Sequence, residues 1–256
     1  MSFKKIFLKK KKQKYLLVIP VLNEGILIKK LLIKIIKLKI YKFIDILIVD
    51  GGSKDGSIKE LAFAEKYLNG IIIVNNNTGL SKQLIVAYKI SHNRGYYGTI
   101  TMDGNFKDDP KKIPSFINYI QNGYHFVQGS RFIQGGGEEN TPFIRKYAIK
   151  LLHAPILSFY SKFNWTDTTQ GYRGYNNIIF KDKKISVFRD VFKKYELLAY
   201  LNYILPLSGY ACIEIPTFRK YNKINKLNSK IKGFSSNFEI FKVLLKVCFG
   251  HFNTSR

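Results

Sequence analysis

Arginine, sulfur and acidic side chains are all scarce in this chain of 256 residues, which has seven Arg, two Cys, two Met and 17 Asp+Glu. With only Cys212 and Cys248, a disulfide framework is excluded, and no apolar stretch leading to a small-residue cleavage site marks a secretory signal. A reducing, cytoplasmic compartment is therefore expected. No apolar run reaches the ~18 residues that a bilayer-spanning helix needs. The four His residues (His92, His125, His153, His251) lack a His-x-x-x-His spacing, so no His-based metal centre is expected.

What is present has the balance of a folded protein, 46% hydrophobic and 23% charged, and composition excludes disorder. The net charge is +26, carried mainly by 36 Lys spread along the chain. Such an excess favours anionic partners, whether lipid headgroups, nucleotide phosphates or nucleic acid. Residues 1–14 form a basic leader with four consecutive lysines, Lys9 to Lys12, read either as a solvated tail or as a contact for anionic lipid.

Apolar runs at Tyr15–Val21, Ile44–Val49, Ile71–Val74 and Gly98–Met102 predict four strands. Helical spacing at Ile26–Ile40, Ser57–Tyr67 and Ser81–Ser91 predicts the helices between them. This alternation implies a parallel, doubly wound sheet with helices on both faces. Such sheets bind ligands at the carboxyl ends of their strands, and Asn23, Glu24, Asp50 and Asp103 fall at three of those ends. Further along, helices are predicted at Lys112–Asn122, Phe143–Tyr160 and Arg189–Leu201. Strands are predicted at Tyr124–Gln128 and Ile213–Arg219, and a glycine-rich loop at residues 135–137. The segment Ser236–Phe249 carries Phe238, Ile240, Phe241, Leu244, Leu245, Val247, Cys248 and Phe249 at helical spacing. That helix either lies in a membrane interface or packs on the domain.

The segments Val18-Ile19-Pro20-Val21-Leu22-Asn23-Glu24, Ile48-Val49-Asp50-Gly51-Gly52-Ser53-Lys54-Asp55-Gly56-Ser57 and Thr101-Met102-Asp103-Gly104-Asn105 follow one another in the order and spacing of family 2 glycosyltransferases. Gln128-Gly129-Ser130-Arg131 and Asp167-Thr168-Thr169-Gln170-Gly171-Tyr172-Arg173 resemble later motifs of the polyprenyl-phosphate (dolichol-phosphate) mannosyltransferase branch. The resemblance covers roughly Tyr15 to Tyr221. It implies a GT-A, Rossmann-like fold, α/β with a mixed, mainly parallel sheet and helices on both faces. On this reading residues 15–221 form the transferase domain, between the leader and an amphipathic helical tail at 222–256.

The implied reaction is inverting transfer of a hexose from a nucleoside-diphosphate sugar, GDP- or UDP-linked, to a polyprenyl phosphate or lipid-linked glycan. It would occur peripherally at the cytoplasmic membrane face, with a membrane-protein partner or a homo-oligomer possible and no nucleic acid involved. A divalent cation, Mg²⁺ or Mn²⁺, held at Asp103 and Asn105 would neutralise the leaving diphosphate. The family pattern is Asp-X-Asp, so Asn105 replaces a carboxylate, and the position two residues on, where a further polar ligand can sit, is Lys107. An ammonium cannot ligate a metal, although it can approach a phosphate.

Pro20, Leu22, Glu24, Asp50, Gly104 and Lys82 are expected on the nucleotide-sugar, with Lys82 at a helix N-terminus. Because Lys is the ordinary cation here, the placing of Arg is informative: its planar fork grips phosphate in two places. Arg131, Arg145 and Arg173 are expected on phosphates, together with Lys107. Arg219 also lies beside a motif segment. Asp167 is either an acceptor-side catalytic carboxylate or a group that orders its loop, and Glu196 is a second candidate base for a hydroxyl acceptor, whereas an ionised phosphate acceptor needs none. The alternatives are a nucleotide-sugar-binding protein without turnover, prompted by Asn105 and Gly51, and a basic nucleic-acid-binding protein, prompted by the charge alone.

Overall fold

The computed structural model describes residues 3–74, 79–221 and 234–254. Its frame is an eight-stranded sheet in which β2 (Tyr15–Val21), β3 (Asp45–Asp50), β4 (Gly70–Val74) and β5 (Gly98–Thr101) run parallel. Every residue of β2 and β3 is buried, the continuous apolar pattern of a strand covered on both faces. Leu16 and Val18 of β2 face one core, with Leu47 and Val49 of β3. Tyr15, Leu17 and Ile19 face the other, packed with α1 (Ile26–Lys37) through Ile28, Leu31, Leu32 and Ile35. On the first face lies α2 (Gly79–Asn93), and α3 (Ile113–Gln121) covers the second. Residues Lys59–Tyr67 wind as a 3₁₀ rather than an α-helix.

The leader is not a solvated tail along its length. Phe3–Leu8 is β1, antiparallel to β4 at the sheet edge. Phe3 and Leu8 pack on one core and Phe7 on the other, while Lys4 and Lys5 stay exposed, as suits an edge strand that must not template further pairing.

Beyond β5 the sheet continues with β8 (Arg173–Asn176), β6 (Phe126–Ser130) and β9 (Cys212–Pro216), in the order β1-β4-β3-β2-β5-β8-β6-β9. β8 is antiparallel to both neighbours, so the sheet is mixed. The glycine-rich segment expected as a loop supplies β7 (Gly137–Glu139), which pairs in parallel with β10 (Phe218–Lys220). A long helical stretch combines α4 (Phe143–Tyr147), a π-turn (Ala148–His153) and α5 (Ala154–Ser161). α6 spans Glu196–Leu207, beginning later than Arg189; Glu196, its first residue, accepts from the backbone N–H groups of Lys193 and Lys194 in the turn before it. The last helix, α7 (Phe234–Cys248), packs on α5 and α6 and buries Leu244, Val247 and Cys248. The tail helix thus takes the packed alternative and forms part of the domain wall, although Phe249 just beyond it is exposed.

Candidate active site

The carboxyl ends of β2 and β5 open onto a pocket of about 260 Å³. Pro20, Leu22 and Glu24 line it from the β2 end, and Asp103, Gly104, Asn105 and Lys107 from the β5 end. Arg145 and His153 reach it from the long helical stretch, Thr168, Thr169 and Gly171 from the loop before β8, and Arg219 from β10. Ile240 and Val243 of α7 close one side with apolar surface.

Asp103 is held tightly. Its Oδ2 accepts from Arg219 Nη2 at 2.8 Å. Arg219 Nη1 in turn donates to both carboxylate oxygens of the buried Asp108, at 2.8 and 2.6 Å. The strand pairing of β10 with β7 and a backbone bridge between Arg219 and Asp108 fix the guanidinium in this place. Burial pushes the Asp108 carboxyl up and Arg219 opposes that shift; the two carboxylates hold Arg219 firmly charged. On the other side of Asp103, a Cβ on Gly171 would come within 2.5 Å of Oδ1, so only glycine leaves room for the carboxylate.

Around Tyr221 four cations converge. Lys107 Nζ lies 4.7 Å and the Arg219 guanidinium carbon 5.8 Å from the phenol ring centroid. Burial alone would raise the phenol pKa, yet Arg219, Arg145, Arg131 and Lys107 together bring it below its ordinary value. The same crowding, with burial as the larger cause, lowers the Lys107 ammonium. Burial likewise lowers Arg145. The Tyr221 hydroxyl and Arg131 Nη1 are both buried and have no hydrogen-bond partner among the described residues. Buried polar atoms of this kind call for a partner, and positive potential selects an anionic one.

The remaining expected site residues divide clearly. Arg131 is buried in a two-point pair with Asp167, Nε to Oδ2 at 2.6 Å and Nη2 to Oδ1 at 2.9 Å. Asp167 is fully buried by this pair and does not line the pocket. Arg173 is not a phosphate ligand here: its fork is filled by the carbonyls of Gln170, Leu198 and Thr168. Lys82 is paired with Asp190 instead of reaching the pocket. Glu196 accepts from the backbone N–H groups of Lys193 and Lys194, so its carboxylate orders the turn before α6, and it does not line the pocket. Asp50 accepts from the backbone of Gly52 and Ser53 and orders the turn after β3. The space beside Gly51, where the family pattern has a second acid, is filled by the amide of Gln83, which donates to the Val21 and Val49 carbonyls.

Two site residues were missed in sequence. Arg219 stands out in sequence as a rare residue type beside a motif segment, but nothing local marks it as the partner of Asp103, 116 positions away. His153 lines the pocket, bonded through Nδ1 to Thr168 Oγ1 at 2.6 Å, and burial drives its pKa down to about 4. It is therefore a neutral imidazole at physiological pH.

The expected Mg²⁺ or Mn²⁺ can be tested against these donors. Among the described residues no group of three or more His, Cys, Asp or Glu side chains could hold a metal ion. Asn105 turns its Nδ2 toward Asp103 at 3.5 Å, while its carbonyl oxygen accepts from the Lys107 backbone at 3.3 Å. Asp103 already carries a guanidinium. A carboxylate paired with a guanidinium, an amide that presents its nitrogen to that carboxylate and an ammonium fit a divalent cation poorly, with Glu24 the other acid lining the pocket.

A family model described as glycosyl transferase family 2 matches residues 16–195. Among curated proteins, the chain is 25% identical to polyprenol monophosphomannose synthase of Mycolicibacterium smegmatis over 78% of its own length and 75% of that protein. It is 33% identical to dolichol-phosphate mannosyltransferase of Pyrococcus furiosus, over 41% of its own length and 30% of that protein. Among solved structures, glucosyl-3-phosphoglycerate synthase of Mycobacterium tuberculosis, in complex with Mn²⁺, UDP-glucose and phosphoglyceric acid, superposes with a TM-score of 0.63. That likeness covers 93% of this chain and 80% of the other at 14% identity. At such identity it shows the fold alone, which is GT-A.

Proposed function

The chain belongs to glycosyl transferase family 2, in the polyprenyl-phosphate mannosyltransferase-like branch, and from that premise we propose that it transfers a hexose, with inversion, from a nucleoside-diphosphate sugar to a polyprenyl phosphate or lipid-linked glycan. The observation that carries this reading is the convergence of Lys107, Arg145 and Arg219 in one pocket with Asp103. Their charges can hold a nucleotide diphosphate, GDP- or UDP-linked, and an acceptor phosphate together. In an in-line displacement the acceptor oxygen forms the new bond to the sugar C1 as the bond from C1 to the diphosphate breaks. The departing electron pair stays on the diphosphate, whose added charge the cations stabilise. An ionised phosphate needs no base, which agrees with Asp167 and Glu196 being committed elsewhere. Asp103, fixed by Arg219, is suited to accept from a hydroxyl of the donor and orient it.

Peripheral attachment to the cytoplasmic membrane face belongs to the same proposal, and the surface that supports it is the long helical stretch rather than α7. Its inner face brings Arg145 and His153 to the pocket. Its outer face exposes Phe143, Ile144, Leu151, Leu152 and Phe159, each more than half accessible, with the exposed Lys150 among them and Lys146, paired with Glu138, partly exposed beside them. An apolar stripe edged by lysine suits the interface of an anionic bilayer. It would present the pocket to a lipid-borne phosphate. Among the described residues no helix is long and apolar enough to cross a membrane.

Transfer of radiolabel from a panel of UDP- and GDP-sugars to polyprenyl phosphate in vesicles tests the reading. Label in the lipid fraction is expected. Nucleotide-sugar binding without transfer to any acceptor would point to a binding protein. Salt-sensitive nucleic-acid binding without nucleotide-sugar affinity would refute the transferase altogether.

A further inference from the structure

We propose that this chain binds and stabilises the nucleotide diphosphate with its own side chains, Lys107 and Arg219, in the place where a GT-A relative uses a divalent cation. The inference rests on the transferase reading and specifies its electrostatics. Three independent features of the pocket lead to it.

First, the charge that a metal would supply is already built in. Arg219 donates to Asp103 and is anchored behind by two bonds to the buried Asp108, so the guanidinium is part of the frame. An incoming divalent ion would have to share the Asp103 carboxylate with a fixed cation that lies 2.8 Å from its Oδ2. Second, the two positions flanking such an ion have changed together. Asn105 offers no charge and faces Asp103 with its amide nitrogen, and Lys107 brings a positive charge to the pocket. Losing an acid and gaining an ammonium both move the site away from holding a cation and toward replacing one. Third, Lys107 is 91% buried, stacked over Tyr221 beside Arg219, and lines the pocket. A lysine held in that way among other cations is stabilised by an anion, and the diphosphate supplies two charged groups.

In the reaction the C1–oxygen bond of the donor breaks and its electron pair passes to the diphosphate. Lys107 Nζ and the Arg219 guanidinium donate hydrogen bonds to the oxygens that gain charge. With an ionised phosphate as acceptor no proton is transferred, and the new bond forms to the acceptor phosphate oxygen. The cations act by charge and geometry alone, the service a Lewis acid otherwise performs.

Calorimetric titration of the full chain with UDP-glucose and GDP-mannose, in chelator and then in Mg²⁺ or Mn²⁺, tests this. The affinity for the sugar nucleotide that binds is expected to agree between the two conditions within about twofold, because no ion is needed. Lys107→Met should weaken it by roughly 10- to 100-fold in both conditions, the loss of one charge-assisted contact. The double variant Asn105→Asp/Lys107→Gln should bind only with the metal present, a dependence that a folding defect would not produce. Binding to the wild-type chain that disappears in chelator and returns with Mn²⁺ would overturn the inference while leaving the transferase intact. Failure to bind either nucleotide in either condition would overturn both.

Discussion

Replacing Asp167 by Asn removes one charge from the most deeply buried ion pair among the described residues and keeps the shape of the side chain. The partners are 1% and 0% exposed, and two short hydrogen bonds join them. Once the carboxylate is neutral, Arg131 remains charged, buried, and within the field of Arg145 and Arg219. Breaking a buried pair in this way costs about 3–5 kcal/mol. For a chain of this size that corresponds to a fall in melting temperature of roughly 6–20 °C. Set against a typical total of ~5–15 kcal/mol, the variant folds but is markedly weakened.

Trp165, the single tryptophan, is 4% exposed and lies two residues before Asp167, so its fluorescence reports on this very loop during urea unfolding. The midpoint should fall while the denaturant slope stays the same. The double variant Arg131→Met/Asp167→Asn should recover much of the loss, because removing both charges leaves none unpaired. If Asp167→Asn unfolds at the wild-type midpoint and yet loses transfer, Asp167 is a base in the reaction, and its reading as the counter-ion that orders Arg131 is wrong.

Gly171→Ala puts a Cβ 2.5 Å from Asp103 Oδ1 and must drive the carboxylate off Arg219; nucleotide-sugar affinity should drop by about tenfold or more, with a stability loss of about 1–3 kcal/mol. Unchanged affinity would show that the position of Asp103 is immaterial. The Glu214 carboxyl is raised by burial from 4.5 to about 7, so the native state holds a proton that the unfolded chain releases, and stability declines as pH rises through that window. His153, lowered by burial from 6.5 to about 4, acts with the opposite sign, losing stability as pH falls through its own window. Relative to wild type, Glu214→Gln should therefore gain stability between about pH 5 and pH 8, by up to about 3 kcal/mol, measured as unfolding free energy. A difference that does not change with pH would refute the assignment. Leu151→Glu/Phe159→Glu, at sites 65% and 80% exposed, should reduce co-sedimentation with anionic vesicles by about tenfold or more without altering the melting temperature; unaltered sedimentation would remove that face from the membrane proposal.

How far the sequence could be read depended on whether a segment's role was settled by its neighbours in the chain. β2 to β5 were legible because a strand buried on both faces must be apolar at nearly every position. β1 was not, since an edge strand carries lysines on purpose and Phe-Lys-Lys-Ile-Phe-Leu looks like a charged tail until β4 is beside it. β8 was hidden for a related reason: its four residues begin with Arg173, which is polar in composition but saturates three carbonyls in the interior. The site shows the same division. Asp103 follows its strand directly, so its place at the sheet edge is a local consequence. Its partner Arg219 comes from a two-stranded pairing of β7 with β10, and nothing local encodes that a residue 116 positions away will neutralise it. The substitutions at 105 and 107 read in sequence as a weakened metal site. With Arg219 fixed beside Asp103 they form a consistent set under the proposed electrostatics: Asn105 removes a negative charge, while Lys107 and Arg219 supply positive charge from the chain itself.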